Sequence, residues 1–106
     1  MSKRTSPILI SVIGESKASP TNEEYAEQVG ALLAEAGAVV VCGGMTGVME
    51  KVCKGAKSRG GITIGILPGS NTVDANQWVD YPICTVIGDA RNAIVVEAGQ
   101  AVIAIG

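Results

Sequence analysis

The sequence predicts an α/β protein: a Rossmann-like, doubly wound parallel sheet of about five strands in three α/β/α layers. Two observations predict this class. Short apolar runs rich in β-branched residues alternate along the chain with segments whose apolar residues recur at helical spacing. The runs are apolar throughout, which is typical of parallel strands buried on both faces. A chain of 106 residues is expected to form a single domain, over residues 1–106.

The amino-terminal part of the chain predicts a strand, a helix and a second strand. Residues 7–13 form an apolar run, and Thr21 with Glu24 three residues later has the spacing of a capping box. Gly37 is typical of a helix end, and residues 38–41 are the second predicted strand. The helix is expected to bury one face, formed by Tyr25, Ala26, Val29, Leu32, Leu33 and Ala36.

A second helix is expected after Gly47, followed by a third strand at residues 62–67. The apolar spacing predicts that this helix buries Val48, Met49, Val52, Cys53 and Ala56. Two β–α–β units in succession indicate a parallel sheet with helices on both faces.

Residues 70–82 lose all periodicity and predict a long loop, which in so small a domain is typical of a lid or a contact surface. Trp78 in this loop either contacts a ligand or packs against the edge of the sheet. A fourth strand is expected at residues 83–87, a short helix capped by Asp89 at residues 90–98, and a fifth strand at residues 101–105.

The composition disfavours several classes of function. A net charge of −2 without a basic tract argues against nucleic-acid binding through a cationic surface, and no apolar stretch is long enough for a membrane helix. Lys3 and Arg4 precede an apolar run too short for a targeting segment. The three cysteines lie far apart and are expected to be reduced and buried, as in a cytoplasmic protein. No metal site is expected, because histidine is absent and no CxxC pair occurs among Cys42, Cys53 and Cys84.

A glycine-rich turn, GGMTG, follows the second strand and opens the second helix. Free N–H groups and the positive end of the helix dipole at such a turn favour a phosphate. The motif is neither the dinucleotide fingerprint nor a P-loop, and glycines also serve close packing at strand-to-helix turns. A phosphate site and a purely structural turn therefore both remain open.

Polar residues follow three of the predicted strands, at the edge where ligands bind in doubly wound sheets. Arg91 is the most informative, because the helix dipole disfavours a cation in the first turn unless an anion lies nearby. Its guanidinium could hold two phosphate oxygens. The candidate ligand-binding residues are Gly14, Glu15, Ser16, Gly43, Gly44, Met45, Thr46, Gly47, Asp89, Arg91 and Asn92.

Two segments, GGMTGVMEKVCKGA and GDARNAIVVEAGQAVIAIG, resemble a Rossmann-like superfamily that includes molybdenum cofactor carrier proteins and cytokinin-activating phosphoribohydrolases, the latter also described as lysine decarboxylase-like. The carrier-like branch is the more similar. The resemblance implies that the ligand is a nucleotide phosphate or the molybdenum cofactor. Arg91 matches an arginine of the hydrolases, whereas Asn92 replaces their lysine, and their PGGxGTxEE segment does not occur before Gly106.

Two functions from different classes follow. As a binding module, the protein holds a small phosphorylated ligand without a catalytic residue. As an enzyme, it cleaves the N-glycosidic bond of a nucleoside 5′-monophosphate. Binding is the favoured interpretation because no catalytic carboxylate is recognisable. The chain is expected to be truncated after the fifth strand, which would leave Val102, Ile103 and Ile105 partly bare. Because a large exposed apolar patch is rare on a monomer, a homodimer or larger assembly is expected.

Overall fold

A computed structural model describes residues 7–106, and the expectation about Lys3 and Arg4 lies outside the described residues. Within this range, five parallel strands form one sheet in the order β4-β3-β2-β1-β5. The strands are β1 (Leu9–Gly14), β2 (Val39–Cys42), β3 (Thr63–Leu67), β4 (Tyr81–Cys84) and β5 (Ala101–Ile105). The chain thus builds outward from β1 to β4 and then returns to the other side of β1, which places the reversal of strand order between β1 and β5.

The helices cover both faces of the sheet. They are α1 (Pro20–Glu35), α2 (Val48–Ser58) and α3 (Arg91–Ala98). Val40 packs in one core cluster with residues of α1 and α2, whereas the next residue, Val41, packs in a second cluster with Val95 of α3. Successive residues of a strand point to opposite faces, so α1 and α2 cover one face and α3 covers the other. The predicted three-layer α/β class is confirmed.

Helix α1 differs from its prediction at its start and on its surface. Ser19 is the N-cap and accepts a hydrogen bond from Asn22 N at 3.1 Å, so the expected Thr21–Glu24 capping box is wrong. Pro20 suits the first helical position because its fixed φ is helical and it has no N–H to satisfy. Gly37, at φ +81°, ends the helix as predicted.

The buried face of α1 is narrower than the apolar spacing predicts. Tyr25 and Leu32 are 55% and 63% exposed, while Ala26 and Gly30 are buried. A Cβ on Gly30 would overlap the backbone of α2 at Val52, so the two helices approach at a contact that only a small residue fits. This close contact leaves the larger side chains of α1 at its flanks.

The fourth strand starts two residues and ends three residues earlier than predicted, at Tyr81–Cys84 rather than residues 83–87. Pro82 lies within it, which an edge strand tolerates because one side of its backbone needs no partner. The preceding loop contains a 3-10 turn at Thr72–Asp74, and Trp78 packs against the core cluster beneath α2. Packing, rather than an open lid, is therefore the structural role of Trp78.

Helix α3 and strand β5 bring two further corrections. Asp89 is not the N-cap of α3, since it lies inside a 3-10 turn at Gly88–Ala90 that runs directly into the helix. Ile105 is 8% exposed and packs in the core, so the expectation that it is bare is wrong. Val102 is 41% exposed. Association of two or more copies remains a prediction.

None of the helices within residues 7–106 combines the length and the apolar composition needed to cross a membrane.

Candidate functional site

A cleft of about 350 Å³ lies at the carboxyl ends of β1 and β2, beside the amino-terminal end of α3. Three chain segments, distant in sequence, meet there: the loop after β1, the glycine turn after β2 and the first turn of α3. Eight of the eleven candidate residues line it, namely Gly14, Ser16, Gly43, Met45, Thr46, Asp89, Arg91 and Asn92. The edge of the sheet at which these residues gather is the one that the sequence predicts.

The other three candidates, Glu15, Gly44 and Gly47, do not line the cleft. Gly47 has φ +68°, and a Cβ there would collide with the backbone carbonyls of Glu15 and Ser16. The Glu15 carbonyl accepts the N–H of Val48 at 3.0 Å. The first amide of α2 is therefore already satisfied within the protein, so a ligand would have to use other donors.

Residue Asn76, which sequence reasoning missed, holds the glycine turn from behind. Its backbone N–H donates to Gly44 O at 2.8 Å and its side-chain amide donates to Met45 O at 2.9 Å. The side-chain oxygen accepts the N–H of Trp78 at 2.9 Å. No local pattern could reveal the contact with the turn, because Asn76 and Met45 lie 31 positions apart in the chain. The loop predicted as a lid or a contact surface is thus a clamp on the turn.

Asp80 fixes the far end of the same loop. Its carboxylate accepts hydrogen bonds from Lys57 Nζ at 3.0 Å and from the Thr63 N–H at 2.9 Å, and it also lies 3.3 Å from the Thr63 hydroxyl. Burial alone would raise the pKa of Asp80, but the hydrogen bonds from Lys57 and Thr63 outweigh it and hold the pKa below its usual value. The carboxylate is therefore anchored in its charged form.

Arg91 is the main electrostatic feature of the cleft. Only 7% of the residue is exposed, and no ion pair involves it among the residues that the structure describes. One terminal nitrogen donates to the Asn92 side-chain oxygen, and the other lies 3.6 Å from Met45 Sδ. The buried Nε has no hydrogen-bond partner within residues 7–106. A buried cation without a carboxylate partner is costly unless an anion accompanies it.

Gly43 allows the guanidinium of Arg91 to lie against the turn. A Cβ at Gly43 would stand 2.8 Å from Arg91 Nη1 and 2.6 Å from Met49 Sδ, so any larger residue would displace the charged group or the thioether. Position 43 is thus constrained by its neighbours across the cleft. The absence of its side chain brings the cation close to the backbone of the turn.

The remaining lining is mostly apolar. Four residues that sequence reasoning assigned to the core or did not single out also line the cleft: Val12, Ile13, Met49 and Val95. With Met45 they provide an apolar wall beside the Arg91 charge, and Asp89 is the one carboxylate among the described lining residues. Within the same part of the chain, no group of three or more Cys, Asp or Glu side chains could hold a metal ion. This arrangement suits an anionic ligand with a flat or apolar portion.

Comparison with known proteins identifies relatives of this chain. The model of the SLOG cluster4 family matches residues 7–106. The solved molybdenum cofactor binding protein of Rippkaea orientalis is 43% identical, with a TM-score of 0.94 over 97% of this chain and 64% of its own. The Moco carrier protein of Chlamydomonas reinhardtii is 36% identical, with a TM-score of 0.87 over 95% of this chain and 63% of its own.

An uncharacterized protein of Archaeoglobus fulgidus is 42% identical over 97 residues, which are 92% of this chain and 64% of that protein. The chain therefore spans slightly less than two thirds of the length of these relatives.

Proposed function

The chain belongs to the SLOG cluster4 family, and solved structures similar to it include molybdenum cofactor carrier proteins; we propose that it binds a phosphorylated cofactor of the molybdenum cofactor type as a carrier. One observation supports this most directly: Arg91 is buried in the cleft without a carboxylate partner among the described residues. The orphaned Nε and the space left by Gly43 fit an anionic group.

The proposed division of labour follows from the chemistry of the lining. The Arg91 guanidinium binds the phosphate, and the exposed Ser16 hydroxyl donates a further hydrogen bond. Thr46 contributes indirectly, because its hydroxyl already donates to Ser16 O at 3.0 Å and fixes the loop after β1. The thioethers of Met45 and Met49 pack against the ring system, and Asp89 accepts hydrogen bonds from ring N–H groups.

The molybdenum in such a ligand is cargo, and the described thiols do not approach the cleft to bind it. Cys42 and Cys53 are fully buried behind the turn, and Cys84 does not line the cleft. The ligand is therefore held through its phosphate and rings. This is what a carrier requires, since it must release its cargo intact.

The test is calorimetric titration of the wild-type protein and of Arg91→Ala. The ligands are the molybdenum cofactor, handled without oxygen, and GMP and inorganic phosphate for comparison. We expect Arg91→Ala to weaken binding by roughly 1.5–3 kcal/mol, the range for a hydrogen bond to a charged group. Arg91→Lys should fall between, because lysine keeps the charge but lacks the planar fork.

The matched control is Arg59→Ala. Arg59 is exposed, pairs with Glu35 and does not line the cleft. This variant should bind as the wild type does. Equal affinities of wild type and Arg91→Ala would remove Arg91 from the site. Failure of the wild-type protein to bind any of the three ligands would reject the carrier function, and release of free base from a nucleoside 5′-monophosphate would favour the phosphoribohydrolase instead.

A further inference from the structure

Two cysteines face each other directly beneath the glycine turn. The sulfurs of Cys42, at the end of β2, and Cys53, in the middle of α2, lie 3.5 Å apart, and both residues are fully buried. A disulfide requires the sulfurs to approach to about 2.05 Å. The pair therefore needs to close by only about 1.5 Å, a movement that side-chain rotation and a small backbone shift can supply.

Cys42 is also bonded to the turn itself. Its sulfur accepts the N–H of Gly44 at 3.3 Å, and it lies 3.8 Å from the carbonyl oxygen of Met49. The next residue, Gly43, lines the cleft, as does Met49. A single residue without a side chain thus separates the Cys42 backbone from the cleft.

The surroundings favour Cys42 as the reacting sulfur. The hydrogen bond from Cys53 lowers the pKa of Cys42; burial opposes this, but the Gly44 N–H and the positive charge of Arg91 add to the lowering. The same hydrogen bond, together with burial, raises the pKa of Cys53. Cys42 is therefore the thiol that ionises first, and the thiolate is the form that reacts with peroxides.

We propose that Cys42 and Cys53 are a redox-active pair, which closes to a disulfide when a small hydroperoxide such as hydrogen peroxide oxidises it and thereby releases the Gly44 N–H in the glycine turn. The Cys42 thiolate attacks one peroxide oxygen, the O–O bond breaks, and the departing hydroxide takes up a proton to become water. Cys53 sulfur then attacks the Cys42 sulfenic acid, the S–O bond breaks, and a second water leaves with the Cys53 proton. Two thiols lose two electrons, and one peroxide becomes two waters.

Closure of the pair draws the Cys42 sulfur toward α2 and away from Gly44. The Gly44 amide then loses its acceptor, while Asn76 still holds Gly44 O and Met45 O. Oxidation thus loosens the turn at Gly44 without unfolding it. Both sulfurs lie within one core cluster, so the movement that closes the pair is local.

The test uses Cys84→Ser, which leaves Cys42 and Cys53 as the only thiols of the chain. The folded protein is treated with hydrogen peroxide, then unfolded and alkylated, and its intact mass is measured. We expect loss of two hydrogen atoms, about 2 Da, without alkylation, and two alkyl groups after reduction. Two alkyl groups without reduction, added oxygen on both sulfurs, or a disulfide between two chains would each overturn the proposal.

The control variant, Cys42→Ser with Cys84→Ser, keeps only Cys53 and must not show the two-hydrogen loss. The second readout is the hydrogen-exchange rate of the Gly44 amide by NMR, compared between reduced and oxidised Cys84→Ser. Faster exchange after oxidation is expected, and an unchanged rate would overturn the link to the turn. Melting temperature verifies that each variant is folded.

A third readout rests on the proposed function. Oxidised Cys84→Ser should bind inorganic phosphate about fivefold more weakly than the reduced form, the effect of one ordinary hydrogen bond. A reduced protein that binds no phosphate counts against the proposed function alone, since neither the mass nor the exchange measurement involves a ligand. Equal phosphate affinities in both states would overturn the effect of the disulfide on binding.

Discussion

The turn between β2 and α2 and the turn between β4 and α3 border the same cleft, but the rest of the molecule holds them differently. Ser16, Cys42 and Asn76 hydrogen-bond to the first turn, at residues 43–47, and Glu15 O accepts the N–H of Val48 directly after it. In the second, at residues 85–90, the N–H groups of Thr85, Val86 and Gly88 donate to the carbonyls of residues 67–69, at and directly after the end of β3. Val86 is nevertheless 68% exposed with φ +60°, a conformation that a β-branched residue rarely adopts.

The first turn therefore contributes to the shape of the cleft, whereas the second turn provides its charge. The glycine turn is the conspicuous motif of the sequence, yet much of its backbone is satisfied by the protein itself. The second turn has no glycine-rich motif, but it leads directly into the buried Arg91 at the start of α3. A glycine-rich turn is thus a weaker guide to a ligand than a buried charge without a partner.

Gly47→Ala should have the largest effect, because it disturbs the first turn where the backbone contact is closest. A Cβ there meets the carbonyls of Glu15 and Ser16, and φ is +68°. We expect a loss of roughly 3 kcal/mol in the free energy of unfolding, from strain and overlap together. The control is Gly60→Ala, at φ +72° with nothing within 4 Å of the added Cβ, which should lose only about 1 kcal/mol. Equal losses in urea denaturation would show that the contact with the loop after β1 is not rigid.

Asn76→Ala should weaken the first turn from behind. It leaves Met45 O and the Trp78 N–H without their side-chain partner, so we expect a loss of about 2 kcal/mol in the free energy of unfolding. Asn71→Ala is the matched control: among residues 7–106 the Asn71 side chain accepts only from the exposed Val73 N–H, so this variant should lose less than about 1 kcal/mol. A similar loss in both variants, measured by thermal or urea denaturation, would contradict the clamp.

The part of this comparison that the sequence could predict is the part encoded locally. Apolar periodicity and glycines place β5 at its observed bounds and α2 directly after Gly47. Pro82 misled the prediction of β4, because a proline inside an apolar run reads as loop unless the strand is known to lie at an edge.

The clamp could not be predicted at all, since Asn76 acts through partners distant in the chain. Arg91 could be singled out because it lies in the first turn of a helix, where the dipole disfavours a cation. Its burial, however, depends on Gly43 and Met45 from another segment. Sequence patterns therefore predict which residues reach the cleft edge better than which residues shape it.

Asp80→Asn tests the second anchor of the clamp through pH. The folded pKa of Asp80 lies below its unfolded value of about 3.9, so its stabilisation is fully present above that value and is lost as pH falls through the folded pKa. The wild-type free energy of unfolding should therefore fall more steeply below about pH 4 than that of Asp80→Asn, which should lose about 1 kcal/mol at pH 7. Asp74→Asn, in the exposed 3-10 turn, should retain the wild-type pH profile. Parallel profiles for wild type and Asp80→Asn would contradict the anchor.

Val86→Gly addresses the second turn and should have the smallest effect, with the opposite sign. Relief of the positive φ gains about 1–2 kcal/mol, and the added freedom of glycine in the unfolded chain offsets part of it. We expect a net gain of about 0.5–1 kcal/mol in the free energy of unfolding. Ile87→Gly, at φ −117°, relieves no strain and should lose stability instead. A loss in Val86→Gly would mean that the exposed valine makes contacts that outweigh its backbone strain.

The depth of Arg91 has a consequence for how the proposed carrier would respond to salt. Mobile ions screen charges at a protein surface over about 8 Å at physiological ionic strength, but they penetrate poorly to a group that is 7% exposed. An anion held by Arg91 would therefore lose little affinity as salt rises. A chain of net charge −2 attracts few anions from a distance, so its selectivity rests on contact within the cleft rather than on long-range steering.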